Sequence, residues 1–349
     1  MDNTTKFFLG SNSDKGFISY FEQLQEQSDS MQLLILKGGP GSGKSSLMKR
    51  IWRYAKEKGH ITELIMCASD PDSLDAMIDY TAQFAIVDGT APHIIDPSLP
   101  GAQQHIVYTG DLWDTHKLRE NLGRIDFFNG TVKEHHKGAT AYIKAASALL
   151  SENMSYSKRH INEEKIISFI QKMTRKIPQE EKSIRNVRLI SAVSMGEIKF
   201  FSETLPYLAD TVYVLNDPWG GASDFILKAL ENAALQKKCE YIVCPCSVMS
   251  EKTDHIIVPG AKIAFSLKNS FLKNESGKEI DCSHFYLPMS ENLLMERRLS
   301  HAQKLLGAAC ANVKKAKKLH DTLEYMYIGA MDFSKMDGIF ENIMKKFYS

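Results

Sequence analysis

The chain has 349 residues, of which 43% are hydrophobic and 24% are charged, and its formal net charge is +1 at pH 7. These ordinary globular values exclude a disordered or fibrous protein, and the length allows two domains with separate hydrophobic cores. A net charge this small gives no electrostatic reason to expect nucleic acid as the main partner.

The N-terminal residues 1–6 contain no apolar signal core, and no apolar stretch is long enough to span a bilayer. We therefore expect a cytoplasmic protein without a membrane partner. The six cysteines lack the paired C-x-x-C spacing that a zinc site needs, so buried, reduced thiols are the favoured interpretation.

The first strong signal along the chain is an aliphatic run, residues 33–36, followed by a glycine-rich loop and then by helical periodicity. The run predicts a buried parallel strand, and the spacing of Leu47, Ile51 and Tyr54 predicts one face of a helix. The loop between them, residues 38–45, is called the glycine loop below. It matches G-x-x-x-x-G-K-[ST], the P-loop pattern that cradles nucleotide phosphates.

Each residue type in this loop has a role in holding a triphosphate. Glycines let backbone N–H groups converge on the phosphates, and the following helix N-terminus adds partial positive charge. Lys44 is expected to reach the β- and γ-phosphates, and the Ser45 hydroxyl is expected to ligate Mg²⁺. The expected nucleotide-binding residues are Gly38, Gly39, Pro40, Gly41, Ser42, Gly43, Lys44, Ser45 and Ser46.

Two carboxylates follow the next predicted strand. Asp70 and Asp72 come after the run that ends at Cys67, at the sheet edge where ligands of α/β proteins bind. Asp70 is expected to be catalytic, by orienting an attacking water or a substrate hydroxyl. The alternative, that either aspartate is the N-cap of a helix beginning near residue 74, stays open.

Residues 84–88 are four apolar residues that end in a carboxylate, as expected for a buried strand that delivers Asp88 to Mg²⁺. Just beyond it, Thr90 or His93 could sense a γ-phosphate, although a loop histidine without a role is the alternative. No N-K-x-D guanine signature follows a strand, which favours ATP over GTP. A transition-state arginine is not identified, and the candidates by charge alone are Arg119, Arg124, Arg297 and Arg298.

The chain also repeats itself at a nearly constant spacing. Four short matches occur in the same order, which indicates an internal duplication. The matched stretches are 8–11 with 189–192, 36–45 with 215–224 at a shift of 179, 63–67 with 240–244 at a shift of 177, and 82–86 with 261–265 at a shift of 179.

The repeat predicts two halves, residues 1–180 and 185–349, joined by a polar stretch that contains a proline. Each half is expected to alternate strands and helices, to form a parallel sheet, and to end in a helical tail. The predicted fold is therefore α/β, with two tandem P-loop NTPase-like domains. The last helix carries Lys314, Lys315, Lys317 and Lys318, for which a solvated face is favoured over a nucleic-acid patch.

The second half lacks the chemical groups of the first. At the shift of 179 the paired positions are Lys44 and Ser223, Ser45 and Asp224, and Asp88 and Leu267. The charges of Asp217 and Asp224 would repel phosphates, and Trp219 fills space. We therefore expect a degenerate second domain that is kept for packing or regulation.

With these motifs the sequence resembles the uncharacterised bacterial P-loop ATPases that are built as a tandem duplication. The likeness rests on residues 36–48, 69–75 and 85–93, and it covers nearly the whole chain. It implies ATP binding and an intracellular setting, but it implies no physiological role. In that family the second half often has its own G-K-[ST], from which residues 222–224 depart.

The leading functional hypothesis is an ATPase whose Mg²⁺-dependent hydrolysis drives a conformational change between the halves, acting on an unknown protein or small-molecule client. One alternative is a small-molecule or nucleoside kinase with its acceptor near Asp70 and Asp72. Another is a nucleotide-gated binding module with little turnover. An ATPase releases phosphate without an acceptor, a kinase needs one, and the module does neither but still binds.

Overall fold

The computed structural model describes residues 3–26, 30–275 and 277–348. The chain divides into two compact units. Unit 1 consists of Met1–Gly10, Ser19–Gly138 and Asn312–Ser349, and unit 2 consists of Ser11–Ile18 and Ala139–Ala311. The division of the repeat into residues 1–180 and 185–349 stays a prediction, since the compact units are composed of other segments.

The expected alternation of strands and helices is wrong: among the described residues, four strands follow one another without an α-helix in residues 62–108, and four more do so in residues 240–281. Two long helices follow the sheets. The strands are β1 (Thr4–Phe7), β2 (Gly10–Ser13), β3 (Gly16–Ser19), β4 (Gln32–Lys37), β5 (Thr62–Met66), β6 (Leu74–Asp79), β7 (Phe84–Asp88), β8 (Gln104–Tyr108), β9 (Ile184–Val187), β10 (Ser191–Val193), β11 (Ile198–Phe200), β12 (Thr211–Asn216), β13 (Glu240–Pro245), β14 (Thr253–Val258), β15 (Ile263–Lys268) and β16 (Lys278–Asp281). The helices are α1 (Lys44–Glu57), α2 (Thr115–Glu120), α3 (Leu122–Lys158), α4 (Glu163–Thr174), α5 (Thr204–Leu208), α6 (Gly221–Gln236), α7 (Asn292–Ile328) and α8 (Met336–Phe347).

Unit 1 contains a six-stranded mixed sheet in the order β1-β5-β6-β7-β4-β8. The aliphatic run 33–36 lies inside β4 and is fully buried, as its sequence predicts. Helix α1 follows β4 and buries Leu47, Met48, Ile51 and Ala55, a helical spacing that places one apolar face against the sheet.

Unit 2 contains a second six-stranded mixed sheet, whose order β9-β13-β14-β15-β12-β16 has the same connectivity as the first. Parallel and antiparallel pairs also occur at the same places in the two sheets. The structure is therefore a mixed α/β protein with two similarly built sheets, in agreement with a duplication.

The expectation of purely parallel sheets is wrong. β6 runs antiparallel to both β5 and β7, and β14 does the same in unit 2. A parallel neighbour needs a crossover of about a dozen residues or more, whereas residues 67–73 form only a short turn between β5 and β6. Because residue 74 begins the strand β6 and not a helix, the N-cap alternative for Asp70 and Asp72 is wrong.

Strand register also corrects one of the repeat matches. Ile65 pairs with Ala76 in unit 1, and Cys244 pairs with His255 in unit 2. Both pairs are related by a shift of 179, so the shift of 177 for this strand is wrong. Cys67 therefore corresponds to Cys246.

The two long helices, α3 and α7, are both 37 residues long, and each is followed by a helix of 12 residues. The boundary between the units falls inside α3 and α7. Unit 1 thus contains the last part of α7 together with α8, segments that come after the second sheet in the chain. In unit 1, Trp113 forms a β-bridge with Met331, and in unit 2 Ile161 forms the matching bridge with Tyr286.

Among the described residues, no helix combines the length and the apolar character that a membrane span requires. The six cysteines are free thiols, and all but the half-buried Cys67 are buried, in agreement with the interpretation of their spacing.

Candidate functional site

The glycine loop connects the end of β4 to the start of α1. Gly41 and Gly43 have φ of +66° and +80°, a region that favours glycine, and Gly43 is the N-cap of α1. The loop therefore bends back on itself before the helix begins, which directs the N-terminus of α1 toward the carboxyl edge of the sheet.

Lys44 lies inside this bend and is only 7% exposed. Its ammonium group donates hydrogen bonds to the carbonyl oxygens of Gly38, at 2.9 Å, and Gly39, at 2.7 Å. These bonds fix the position of a charge that a solvated lysine would not hold, since a free lysine side chain samples many rotamers.

Asp88 is brought to the same place by strand register. Leu36 in β4 pairs with Asp88 at the end of the neighbouring parallel strand β7. Its carboxylate lies 3.5 Å from the Lys44 ammonium and accepts a hydrogen bond of 3.0 Å from the Thr90 backbone N–H. Lysine and carboxylate, which are 44 residues apart in the sequence, thus meet at one edge of the sheet.

Ser45 faces the turn that joins β5 to β6, residues 67–73. Its hydroxyl oxygen accepts hydrogen bonds from the Leu74 N–H, at 3.0 Å, and from the Ser73 hydroxyl, at 3.1 Å. Asp70 lies in the same turn, where its carbonyl oxygen accepts a hydrogen bond of 2.8 Å from the Ser73 N–H. The turn therefore holds Asp70 close to the N-terminus of α1.

The other expected binding residues differ in exposure. Ser42 is buried and donates to the Gly39 carbonyl at 2.9 Å, Pro40 is half-buried, and Ser46 is exposed. Arg119 and Arg124 are exposed, and Arg297 and Arg298 belong to unit 2.

His93 is buried in unit 1 beside a carboxylate. Its Nε2 lies 3.2 Å from an oxygen of Asp75, and its ring packs against Phe21 at 4.4 Å between centroids. Burial lowers the pKa of His93, but the charges of Asp75 and Asp88 outweigh it, so the pKa lies above its ordinary value. The role of His93 or Thr90 as a phosphate sensor stays a prediction.

The end of the chain packs directly on the glycine loop in unit 1. A Cβ at Gly41 would lie 2.7 Å from the Glu324 carbonyl oxygen and 3.0 Å from Cγ1 of Ile328. A Cβ at Gly43 would lie 3.4 Å from the Phe333 ring. Glycine is thus required at position 41 by close approach as well as by its backbone conformation.

Helix α7 adds a charged residue that sequence reasoning placed on a solvated face. Lys317 has a side chain only 18% exposed, and its ammonium lies 3.0 Å from an Asp70 carboxylate oxygen and also bonds Asp321. Burial lowers the pKa of Lys317, but its bonds to these two carboxylates raise the pKa above the ordinary lysine value. Lys314, Lys315 and Lys318 are exposed, as expected.

One signal could have separated Lys317 from its neighbours. Asp321 lies four residues further along, so the two side chains share a helix face, whereas no acidic residue lies four positions after Lys314, Lys315 or Lys318. The partner Asp70 could not have been found this way, because the pair joins segments that are distant in the sequence.

The same part of α7 holds the cluster of potential metal ligands found among the described residues. The ligand atoms of His320, Asp321 and Glu324 lie within 4.8 Å of one another. The Lys317 ammonium already bonds Asp321 and lies 3.9 Å from Glu324, and its positive charge opposes a metal ion there. Ser45 and Asp88 stay the predicted Mg²⁺ ligands, and their hydroxyl and carboxylate oxygens are of the type that Mg²⁺ favours.

The corresponding loop of unit 2, residues 217–224, is called the second loop. The Asp217 carboxylate accepts hydrogen bonds from the Ser223 N–H, at 2.8 Å, and from the Tyr286 hydroxyl, at 2.9 Å. Tyr286 in turn accepts a bond of 2.7 Å from the Ala222 N–H. Side chains of unit 2 therefore accept hydrogen bonds from two backbone N–H groups, those of Ala222 and Ser223, in the first turn of α6.

The positions of unit 2 that correspond to Ser45 and Asp88 are Asp224 and Leu267. Asp224 is almost fully buried, and its carboxylate pairs with Lys158 at 2.6 Å and with Lys228 at 3.0 Å. Leu267 pairs with Leu215 where Asp88 pairs with Leu36, so the register confirms that a leucine replaces the carboxylate.

Comparison with known proteins gives one partial match. Residues 18–85 match the family model described as Nephrocystin 3, N-terminal. No curated protein and no solved structure matches the chain. The matched segment contains the glycine loop, α1 and β5 but ends before Asp88.

Proposed function

We propose that unit 1 binds ATP through the glycine loop and that the protein is an Mg²⁺-dependent P-loop ATPase. The observation that supports this most is the meeting of Lys44 and Asp88, 3.5 Å apart, at the carboxyl ends of β4 and β7. A structural ion pair needs neither the loop's left-handed glycines nor the serine that follows the lysine.

Each residue of the set has one role in the proposal. Lys44 holds the β- and γ-phosphates, and Ser45 and Asp88 hold Mg²⁺, which suits their hard oxygen atoms. Mg²⁺, when bound by Ser45 and Asp88, would supply positive charge to the phosphates. Asp70, in the turn beside Ser45, stays a predicted catalytic residue for orienting the attacking water.

The proposed reaction needs positioning more than covalent chemistry. The oxygen of a water molecule bonds to the γ-phosphorus, and the bond from that phosphorus to the β,γ-bridging oxygen breaks. The products are ADP and inorganic phosphate, and the water's proton leaves with phosphate or solvent. Lys44 stays protonated and acts by stabilising negative charge.

Unit 2 is proposed to bind no nucleotide. Asp217 and Tyr286 already bond the backbone N–H groups that would face phosphates, and the Asp217 charge would repel a triphosphate. The proposal includes a conformational change between the two halves during turnover, an unknown client, a cytoplasmic setting and membership of the bacterial tandem family.

Phosphate release by the full-length protein with ATP and Mg²⁺ tests the proposal and its alternatives. We expect steady release without any acceptor and no release when EDTA removes the metal. Release only after addition of a metabolite extract would replace the ATPase by a kinase. Binding of a non-hydrolysable ATP analogue without release in either condition would leave a binding module, and no binding would overturn the nucleotide site itself.

A further inference from the structure

Two helices at equivalent places in the duplication differ in charge. When α3 and α7 are aligned from their first residues, Lys317 lies opposite Ser147, and His320 lies opposite Leu150. In the turns that follow β5 and β13, Asp70 corresponds to Met249 at the shift of 179. The Lys317–Asp70 pair therefore occurs in the unit that has Lys44, Ser45 and Asp88, and uncharged residues replace it in the unit that lacks them.

Lys317 also lies on the helix that packs against the glycine loop. Its helix contacts the loop at Gly41, where the Glu324 carbonyl lies 2.7 Å from the Cβ position. Its partner Asp70 belongs to the turn whose C-terminal end, at Ser73 and Leu74, bonds the Ser45 hydroxyl. The ammonium is thus tied to two elements that border the site of Lys44 and Ser45.

The electrostatics of α7 agree with this placement. Burial lowers the pKa of His320, and the charges of Lys317 and Lys44 lower it further against the opposing effect of Glu324 and Asp321. His320 is therefore within electrostatic range of both lysines. The ammonium of Lys317 stays charged at neutral pH, since its carboxylate partners raise its pKa.

We propose that Lys317 is the cation that α7 supplies to the γ-phosphate during ATP hydrolysis, and that Asp70 is a positioning residue that holds this ammonium at the glycine loop. The inference rests on the proposed ATPase function and adds a transition-state charge, for which the sequence identifies no arginine. As the γ-phosphoryl group leaves the β-phosphate, charge spreads over its three outer oxygens, where a fixed cation stabilises it. Lys317 keeps its proton throughout.

The competing interpretation is a structural ion pair that only fastens α7 to unit 1. The two roles differ in what they change. A structural pair affects stability and nucleotide affinity together, whereas a transition-state cation affects kcat with little change in the affinity for ATP.

The experiment measures kcat and KM for ATP hydrolysis, the Kd for a non-hydrolysable ATP analogue, and thermal unfolding in the full-length protein. In Lys317→Met, which keeps most of the aliphatic stem, we expect kcat to fall about 100-fold while the Kd changes less than about threefold. Lys317→Arg should recover most of the lost kcat, because it restores the charge. Lys318→Ala is the matched control, since Lys318 is exposed on the same helix and should leave kcat unchanged.

Asp70→Asn keeps the cation but removes its partner, and we expect a smaller loss of kcat, about tenfold, at unchanged Kd. Because Asp70 is also the predicted water-orienting residue, the double variant with Lys317→Met separates the two roles: no further loss of kcat supports the positioning role, and a further loss overturns it. If Lys317→Met does not fold, Lys317→Gln is measured in its place. A parental kcat in Lys317→Met, or in Asp70→Asn, overturns the role of Lys317 and leaves the ATPase proposal intact. A parent protein that binds the analogue but releases no phosphate overturns both.

Discussion

The glycine loop and the second loop share a left-handed turn at one glycine but differ in the side chains around it. Gly41 and Gly220, which are 179 residues apart, have φ of +66° and +82°, so both loops turn left-handed at the same point. In the first loop the position after the strand is Gly38, and in the second it is Asp217, whose carboxylate bonds the Ser223 N–H. The two loops thus share this turn although their side chains differ.

The helices that follow the two loops also begin at different positions. Helix α6 begins at Gly221, which corresponds to Ser42, whereas α1 begins only at Lys44. Buried backbone N–H groups need hydrogen-bond acceptors. In a loop that binds no phosphate, side chains of the same unit can accept these bonds, and the helix can begin earlier. The difference between the units is therefore expected to be one of binding and not of fold.

Removing Lys44 should have the largest effect on the difference between the two loops. If the proposed site is correct, Lys44→Ala should lower ATP turnover by about 1,000-fold, because the ammonium proposed to hold the β- and γ-phosphates is lost. The matched control is Ser223→Ala at the corresponding position of the second loop, which should leave turnover unchanged. Phosphate release and circular dichroism check both. Parental turnover in Lys44→Ala would remove the glycine loop from the site.

The carboxylate at the end of β7 tests the metal. Asp88→Asn should raise the Mg²⁺ concentration for half-maximal turnover by about 10- to 100-fold, since the amide has no charge for the ion. Affinity for the nucleotide should change less, because Lys44 still holds the phosphates. A magnesium titration of phosphate release measures this, and an unchanged titration would point to Asp70 and Asp72 as the next residues to test.

Much of the fold could be predicted from the sequence, and the errors have local causes. The run before the glycine loop and the spacing within α1 predict β4 and α1 correctly, because each has the periodicity of its structure. The antiparallel β6 was missed because Leu74 to Asp79 is buried on both faces and shows no alternation. Its direction depends on the length of the preceding turn.

The candidate site could likewise be predicted only in part. Lys44 and Ser45 lie in a local motif, and Asp88 ends an apolar run, so patterns within a few residues identify all three. Lys317 could not be assigned to the site, because its pairing with Asp70 is set by how α7 packs in unit 1. Contacts between distant segments leave little trace in one sequence.

A pH measurement distinguishes the cores of the two units. Ala76 in β6 corresponds to His255 in β14, a fully buried residue whose Nδ1 lies 2.8 Å from the Ser266 hydroxyl. Burial lowers the pKa of His255 to about 4, an effect that Asp254 opposes and Lys252 adds to. A histidine with a depressed folded-state pKa must take up a proton when the chain unfolds in mild acid.

The stability that His255 contributes is therefore present above about pH 6.5 and is lost as the pH falls toward 4, by roughly 3 kcal/mol in total. Urea unfolding at several pH values should show this loss. In His255→Asn, which keeps a hydrogen-bonding group near Ser266, the dependence between these pH values should be shallower. An unchanged slope would mean that other groups govern the acid sensitivity.

The last variant tests whether the hydrogen bonds accepted by Asp217 stabilise the second loop. Asp217→Ala should lower the free energy of unfolding by about 2 kcal/mol, because the Ser223 and Trp219 N–H groups lose their acceptor inside the protein. The control Asp210→Ala removes an exposed aspartate of the same unit and should change stability by less than about 0.5 kcal/mol.

Calorimetric titration with a non-hydrolysable ATP analogue should give one nucleotide per chain in the parent and in Asp217→Ala, since removing the Asp217 charge does not supply the missing lysine and hydroxyl. A stoichiometry near two that survives Lys44→Ala would show that unit 2 binds nucleotide despite its occupied loop.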